Sequence, residues 1–277
     1  MAIITKILTQ QKNKERYNIY IDDGTGEKYA FSVHQDVLIA EQLQKGKEID
    51  EFDIEEIAFM DDVTKAFQKA IVFLSYRMRS TKEIMQHLKE KEIDEPVIQE
   101  TIQKLKHHQY IDDQGFAEAY AVTNARVSLK GPIVLRDELI QKGISSEVIE
   151  HALSKIPYED QIRYASKVAE KSYNKSTKLS EKMQKQKVTE ALVRKGYGKE
   201  IINVVIEAMA PEKDEELEWE AICRAGSKAY KRYSKFDSYT FTQKMKQHLY
   251  QKGFPVELIE QYLESDELKQ ELSDMNF

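Results

Sequence analysis

One short pattern occurs four times along the chain and limits what it can fold into. Leu139 is followed by Lys142-Gly143-Ile144 and then by Val148, Ile149 and Leu153. The same intervals return as Leu192, Lys195-Gly196-Tyr197, Ile201, Ile202 and Ile206, and again as Leu249, Lys252-Gly253-Phe254, Leu258, Ile259 and Leu263. The earliest copy reads Leu88, Lys91-Glu92-Ile93, Val97, Ile98 and Ile102, with glutamate where the others have glycine. The four leucines lie 51, 53 and 57 residues apart. Self-similarity at a fixed period marks a repeat architecture.

A leucine, a Lys-Gly stop and apolar residues at helical spacing describe an amphipathic helix, a tight turn and a second helix folded back on it. The glycine suits the left-handed position that commonly ends a helix, and the lysine beside it complements the negative end of the dipole. Glu92 is expected to end its helix less cleanly. One more helical segment precedes each pair, at Thr64 to Met78, Asp113 to Val127, Tyr158 to Tyr173 and Glu216 to Tyr233. The expected organisation is therefore a small β/α segment over 1–60, then three-helix repeats over 61–109, 110–157, 158–211 and 212–277, the last carrying an acidic tail. A unit of about fifty residues buries too little surface alone. The expected fold is mainly α: tandem three-helix repeats stacked as an elongated curved array with a long side wall.

Residues 2–8, 16–22 and 28–34 are rich in Ile, Tyr, Val and Phe, and Asp23-Gly24-Thr25-Gly26 reads as a hairpin turn, so a small sheet is expected first. Gln35 to Gln44 and Ile54 to Met60 read as short helices, after which Asp61-Asp62 is expected to open a longer one. Asp61-Asp62 and Asp112-Asp113, paired carboxylates that could shift each other's titration, are read as helix-start residues, as are Ser80, Asp94 and Ser145.

Of the 277 residues, 41% are hydrophobic and 32% charged, and five prolines and ten glycines leave little for long loops. The lone Cys223 cannot form an internal disulfide and is read as a small packed residue. The stretch from Met1 to Lys12 has no apolar run of signal-peptide length, and no run is long enough to span a bilayer, so a cytoplasmic location away from membranes is expected. There is no Walker A sequence, dinucleotide turn or His-Glu-x-x-His motif, and the neighbours His107 and His108 point in different directions on a helix. No cofactor, no metal and no catalysis are expected.

The net charge of −6 conceals a division. Acidic residues crowd the first sixty positions and the tail from Glu257 to Asp274. Lys167, Lys171, Lys175, Lys178, Lys182, Lys185 and Lys187 follow one another with little acid between, then Arg194, Lys195 and Lys199. Arg224, Lys228, Lys231, Arg232 and Lys235 form a second concentration interleaved with Tyr230 and Tyr233. Exposed helix faces normally carry solvated lysines, and that plain alternative stands beside contact with an anionic partner.

Arg77, Ser80, Glu83-Ile84 and Leu88, then Ile111-Asp112-Asp113 with Phe116-Ala117, then Lys130-Gly131-Pro132, Glu138-Leu139 and Lys142-Gly143-Ile144 resemble, in order and spacing, the RecX regulators of the bacterial RecA recombinase. The resemblance covers roughly 60–277 and departs at Glu92 and Ile84 in the first repeat. It implies a protein without catalytic chemistry that docks along the helical groove of the RecA filament on DNA and modulates ATPase, strand exchange and coprotease activity; a monomer is expected. Binding of single- and double-stranded DNA, to varying degrees, is implied as well. The length looks like the long form of low-GC Gram-positive bacteria. On this reading the contacts fall on Arg77, Arg79, Lys130, Arg136 and Lys142, with Arg194, Lys195 and Lys252 as repeat counterparts. For Lys142, Lys195 and Lys252, capping of helix ends is the alternative. A sequence-independent nucleic-acid binder and a protein-bridging scaffold stay open.

Overall fold

The computed structural model describes residues 1–209, 215–265 and 268. They divide into two compact units, Met1–Ala117 with Ile140–Val148, and Glu118–Leu139 with Ile149–Phe277.

The first unit opens with strands β1 (Ala2–Thr9), β2 (Arg16–Asp22) and β3 (Glu27–His34), joined later by the two-residue β4 (Glu48–Ile49) in an antiparallel sheet ordered β3-β2-β1-β4. Successive side chains of a strand point to opposite faces, and one face here is apolar: Ile4, Ile19, Ile21, Val33 and Ile49 are buried. Val37 of α1 (Gln35–Ala40), Leu43 and Ile57 complete that core. In the expected turn, the Asp22 carboxylate accepts from the backbone N–H groups of Gly24 and Gly26 at 2.8 and 3.1 Å.

Helix α2 (Glu51–Leu74) departs from expectation. It runs unbroken through Ile54–Met60 and past Asp61-Asp62, so no helix begins at that pair and the expected boundary at 60/61 falls inside a helix. Asp50 supplies the start, through a reciprocal pair of bonds with Asp53 at 2.9 and 2.8 Å. Asp61 has a different task. It is only 3% exposed, and its carboxylate accepts from the Arg16 guanidinium at 2.8 Å, Lys65 at 2.9 Å and the His34 backbone N–H at 2.7 Å. Burial alone would raise its pKa; Arg16, Lys65 and the His34 N–H outweigh burial and hold it below the usual carboxylate value. The sheet is thereby pinned to the middle of α2 by a compensated buried charge.

The second half of α2 then packs with α3 (Thr81–Glu90) and α4 (Glu95–His107) around Ala66, Ala70, Ile84, Leu88, Ile98 and Leu105. Ser80 caps α3 with Glu83 in a capping box, whereas Asp94, at the start of α4, makes no side-chain cap bond. The next repeat comprises α5 (Asp113–Ser128), α6 (Pro132–Gln141) and α7 (Ser146–Ser154); Asp112 accepts from the Gln114 N–H where α5 begins.

In the second unit, α8 (Tyr158–Ser176), α9 (Glu181–Lys195) and α10 (Lys199–Ala208) make the third repeat. Helices α11 (Glu215–Tyr233), α12 (Ser238–Gln251) and α13 (Val256–Glu264) make the fourth, around Ile222, Tyr230, Met245, Leu249, Phe254 and Tyr262 with Trp219 and Cys223 packed against them. The acidic tail beyond Ser265, apart from Leu268, lies outside the described residues. Among the described residues no helix is long and apolar enough to cross a membrane.

Candidate partner-binding surface

The Lys-Gly turns are joints between repeats. The Lys142 carbonyl accepts the Ser80 hydroxyl at 2.8 Å, the Lys195 carbonyl accepts the Gly131 N–H at 2.7 Å, and the Lys252 carbonyl accepts the Ser180 hydroxyl at 2.6 Å. Ser80, Gly131 and Ser180 each stand just before the second helix of their repeat, so every joint links that position to the Lys-Gly turn of the following repeat. At the middle joint two glycine backbones touch. A Cβ on Gly131 would lie 2.4 Å from the Gly196 carbonyl oxygen, and one on Gly196, where φ is +85°, would lie 2.5 Å from the Val134 nitrogen. Ile133 N–H, the Lys195 ammonium and the Tyr197 hydroxyl add bonds to the carbonyls of Gly196, Ser128 and Leu129 at 3.1, 2.7 and 3.2 Å. Burial raises the Tyr197 phenol pKa, keeping it a donor.

Glu92 follows from the same geometry. Its φ is +57°, yet Ile93 N–H closes onto the Leu88 carbonyl as Tyr197 closes onto Leu192 and Phe254 onto Leu249. The helix ends with the same closure, contrary to the expectation, at the cost of a left-handed non-glycine residue. No repeat precedes the first to press against that turn, so a side chain fits there.

The predicted contact residues fall into two groups. Five are engaged inside their own unit. Glu83 accepts from Arg77 at 2.9 Å, Lys142 at 3.0 Å and the Ser80 N–H at 3.1 Å. Burial works against its charge, but Arg77, the Ser80 N–H and Lys142 bring its pKa down to about 2. Lys130 pairs with Glu138 at 2.6 Å, where the Tyr120 hydroxyl also donates, and Arg136 grips both carboxylate oxygens of Glu150 at 2.9 and 3.0 Å. Lys195 is spent on Ser128. Arg79 instead lays its guanidinium 4.1 Å from the centre of the Phe73 ring.

Arg194 and the side chain of Lys252 are exposed, and so are all seven lysines from Lys167 to Lys187. Lys167, Lys171 and Lys175 follow at i, i+4 and i+8 along α8, and all three are exposed. Lys185 pairs with Glu181 and Lys187 with Glu190 at 2.7 Å. For Lys167, Lys171, Lys175, Lys178 and Lys182 the described residues offer no ion-pair partner, which leaves an uncompensated cationic band on α8–α9. On α11, Arg224 pairs with Glu220, while Lys228, Lys231 and Arg232, and Lys235 just past the helix end, are exposed. Tyr230, expected to interleave with them, is buried in the core and cannot present its ring.

Comparison with known proteins matches this order of parts. The model of the regulatory protein RecX N-terminal domain matches residues 2–50, that of the first RecX three-helix domain 66–105 and that of the second 112–153. The third-domain model matches twice, over 159–206 and 215–263, so the fourth repeat is a second copy of the third type. Regulatory protein RecX of Bacillus subtilis strain 168 is 48% identical over 267 residues, 96% of this chain and 100% of its own length. That of Bacillus cytotoxicus is 44% identical over 95% and 98%. A crystal structure of regulatory protein RecX aligns with TM-score 0.67 at 38% identity, covering 75% of this chain and all of its own, and that of RecX from Lactobacillus salivarius with TM-score 0.51 at 33% identity over 54% and 97%. With every repeat and the amino-terminal sheet matched in sequence order, the chain belongs to the RecX family of regulatory proteins.

Proposed function

We propose that the protein is a negative regulator of RecA that binds the RecA–DNA filament and modulates its ATPase, strand exchange and coprotease activities in recombination, DNA repair and the SOS response. It does so in the cytoplasm, as a binding protein and not an enzyme. The observation that carries this reading is the uncompensated lysine band of α8–α9 in a chain whose relatives are named regulatory proteins. Phosphate affinity comes mainly from Lys and Arg neutralising backbone charge, and a molecule of net charge −6 that keeps such a band open presents one surface suited to the DNA of a filament. Arg194 and Lys252, both exposed, join that contact on this reading. Arg77, Lys130, Arg136, Lys142 and Lys195 act through the joints and ion pairs that hold the surface in shape.

The test is RecA ATP hydrolysis on single-stranded DNA with this protein added well below the RecA concentration, its own DNA affinity being measured in the same buffer. Inhibition at such ratios, lost when Lys167, Lys171 and Lys175 are changed to Glu, is the expected result. Inhibition that appears only when the protein saturates the DNA, and that fades steeply with salt, would favour the second reading supported by the same lysines, a sequence-independent nucleic-acid binder.

A further inference from the structure

The amino-terminal unit carries a second cationic surface, made of residues outside the joints. Between the β1–β2 connection, α2 and α3 lies a groove of about 910 Å³. Lys65, Lys69, Val72 and Tyr76 line it at i, i+4, i+7 and i+11, one face of α2 continued past its end, and Lys91 faces them from the end of α3. No carboxylate is among its lining residues. Lys65 is committed to Asp61 and Asp62, whereas Lys69 and Lys91 are exposed and have no ion-pair partner among the described residues.

The groove also has aromatic surface. Tyr76 is 78% exposed and Val72 59%, large apolar groups that this unit leaves uncovered. Phe73 stacks on His87 at 3.9 Å between ring centres, nearly parallel, and the Arg79 guanidinium lies over Phe73. Burial first, and then Lys91 and Arg79 against the opposing charge of Glu90, lower the His87 pKa, which favours the neutral flat ring at physiological pH.

From this combination we propose that the groove binds a short stretch of single-stranded nucleic acid, phosphates on Lys69 and Lys91 and a base stacked on Tyr76. Point cations beside an exposed aromatic ring in an open groove are the elements of a sequence-tolerant single-strand site. An acidic protein segment would use the lysines but leave the ring without a task, so the single strand is the better fit. The site gives the amino-terminal sheet a function, since the β1–β2 connection contributes Asn13, and β2 its first residue Arg16, to one wall. The inference does not depend on RecA, and its test contains none.

The full chain is titrated into fluorescein-labelled oligodeoxythymidine at several salt concentrations, with anisotropy as the readout. Tyr76→Ala is expected to weaken binding at least about five-fold, whereas Tyr76→Phe leaves it unchanged. Lys69→Gln with Lys91→Gln should lower the slope of log affinity against log salt by about 1.4, two single-strand phosphate contacts. An oligonucleotide carrying 5-iodouracil should crosslink to Tyr76 on irradiation, read by mass spectrometry of the digest. Binding and crosslinking unaffected by these changes would overturn the proposal, as would competition by poly-glutamate equal to that by unlabelled oligonucleotide, or competition by ATP at equal phosphate concentration. All substituted side chains are at the surface, and circular dichroism of each variant confirms that the fold is kept.

Discussion

At the scale of single residues, two carboxylates carry the most consequence. Glu83 joins a helix cap, an arginine and a lysine of the next repeat at one group, and Asp61 does the same between sheet and helix. Both have a folded pKa below the ordinary value, so each contributes stability that is fully present above the unfolded pKa and lost as pH falls through the folded one. For Glu83 the window runs from about 4.5 down to about 2. Glu83→Gln is therefore expected to cost about 1 kcal/mol at pH 7, discounted for partial solvent screening, and roughly half as much at pH 3, where the folded carboxyl is still mostly ionised. Urea unfolding at the two pH values measures it; an equal loss at both would show that the charge is not the cause. Sequence reasoning caught Asp112 as a helix-start residue and mistook Asp61 for one. The residue types and the Asp-Asp spelling are the same, and what distinguishes them lies mainly in tertiary partners, Arg16 forty-five positions away and the His34 N–H twenty-seven away.

At the scale of elements, the repeat period, the helix pairs and the three long strands were legible because each buries one stripe or one face and so writes its own spacing into the chain. Strand β4 was not, since two residues have no period, and α2 was broken in two because an aspartate pair mid-helix looks like punctuation. The meaning of Lys-Gly was half legible. The left-handed turn could be read from the chain, while the close approach of a neighbouring repeat could not, and it is the second demand that separates Gly196 from Glu92. The separation is measurable. Gly196→Ala must accept both a positive φ and contact with Val134, and is expected to destabilise by more than about 3 kcal/mol. Glu92→Gly relieves a strained residue but gains unfolded-state entropy, for a net benefit of up to about 1 kcal/mol. Thermal unfolding of the two variants side by side tests the contrast. Contact residues were the least legible part: basic residues at motif positions turned out to be tied to Glu83, Glu138, Glu150 and Ser128, pairings that lie in tertiary structure and leave no periodic trace.

At the scale of the whole molecule, the joints give the chain a direction. Each takes a donor from the residue that opens the second helix of one repeat and a backbone carbonyl from the turn of the next, and a backbone carbonyl is available whatever the side chain. Such a rule has no inherent last member. In the fourth repeat the donor position is Asp237, whose carboxylate accepts from the Thr240 N–H at 3.1 Å and whose pKa is lowered by the Thr240 hydroxyl and N–H. An ionised carboxylate accepts hydrogen bonds and donates none, and it repels a carbonyl oxygen. At the other end, Glu92 puts a side chain where an arriving copy would need bare backbone. Head-to-tail contacts that do not close grow into fibres. These two acidic residues are expected to oppose polymerisation of the protein with itself. Glu92→Gly combined with Asp237→Ser should remove both stops, and sedimentation velocity of that double variant is expected to show mass rising with concentration while the parent protein's stays constant.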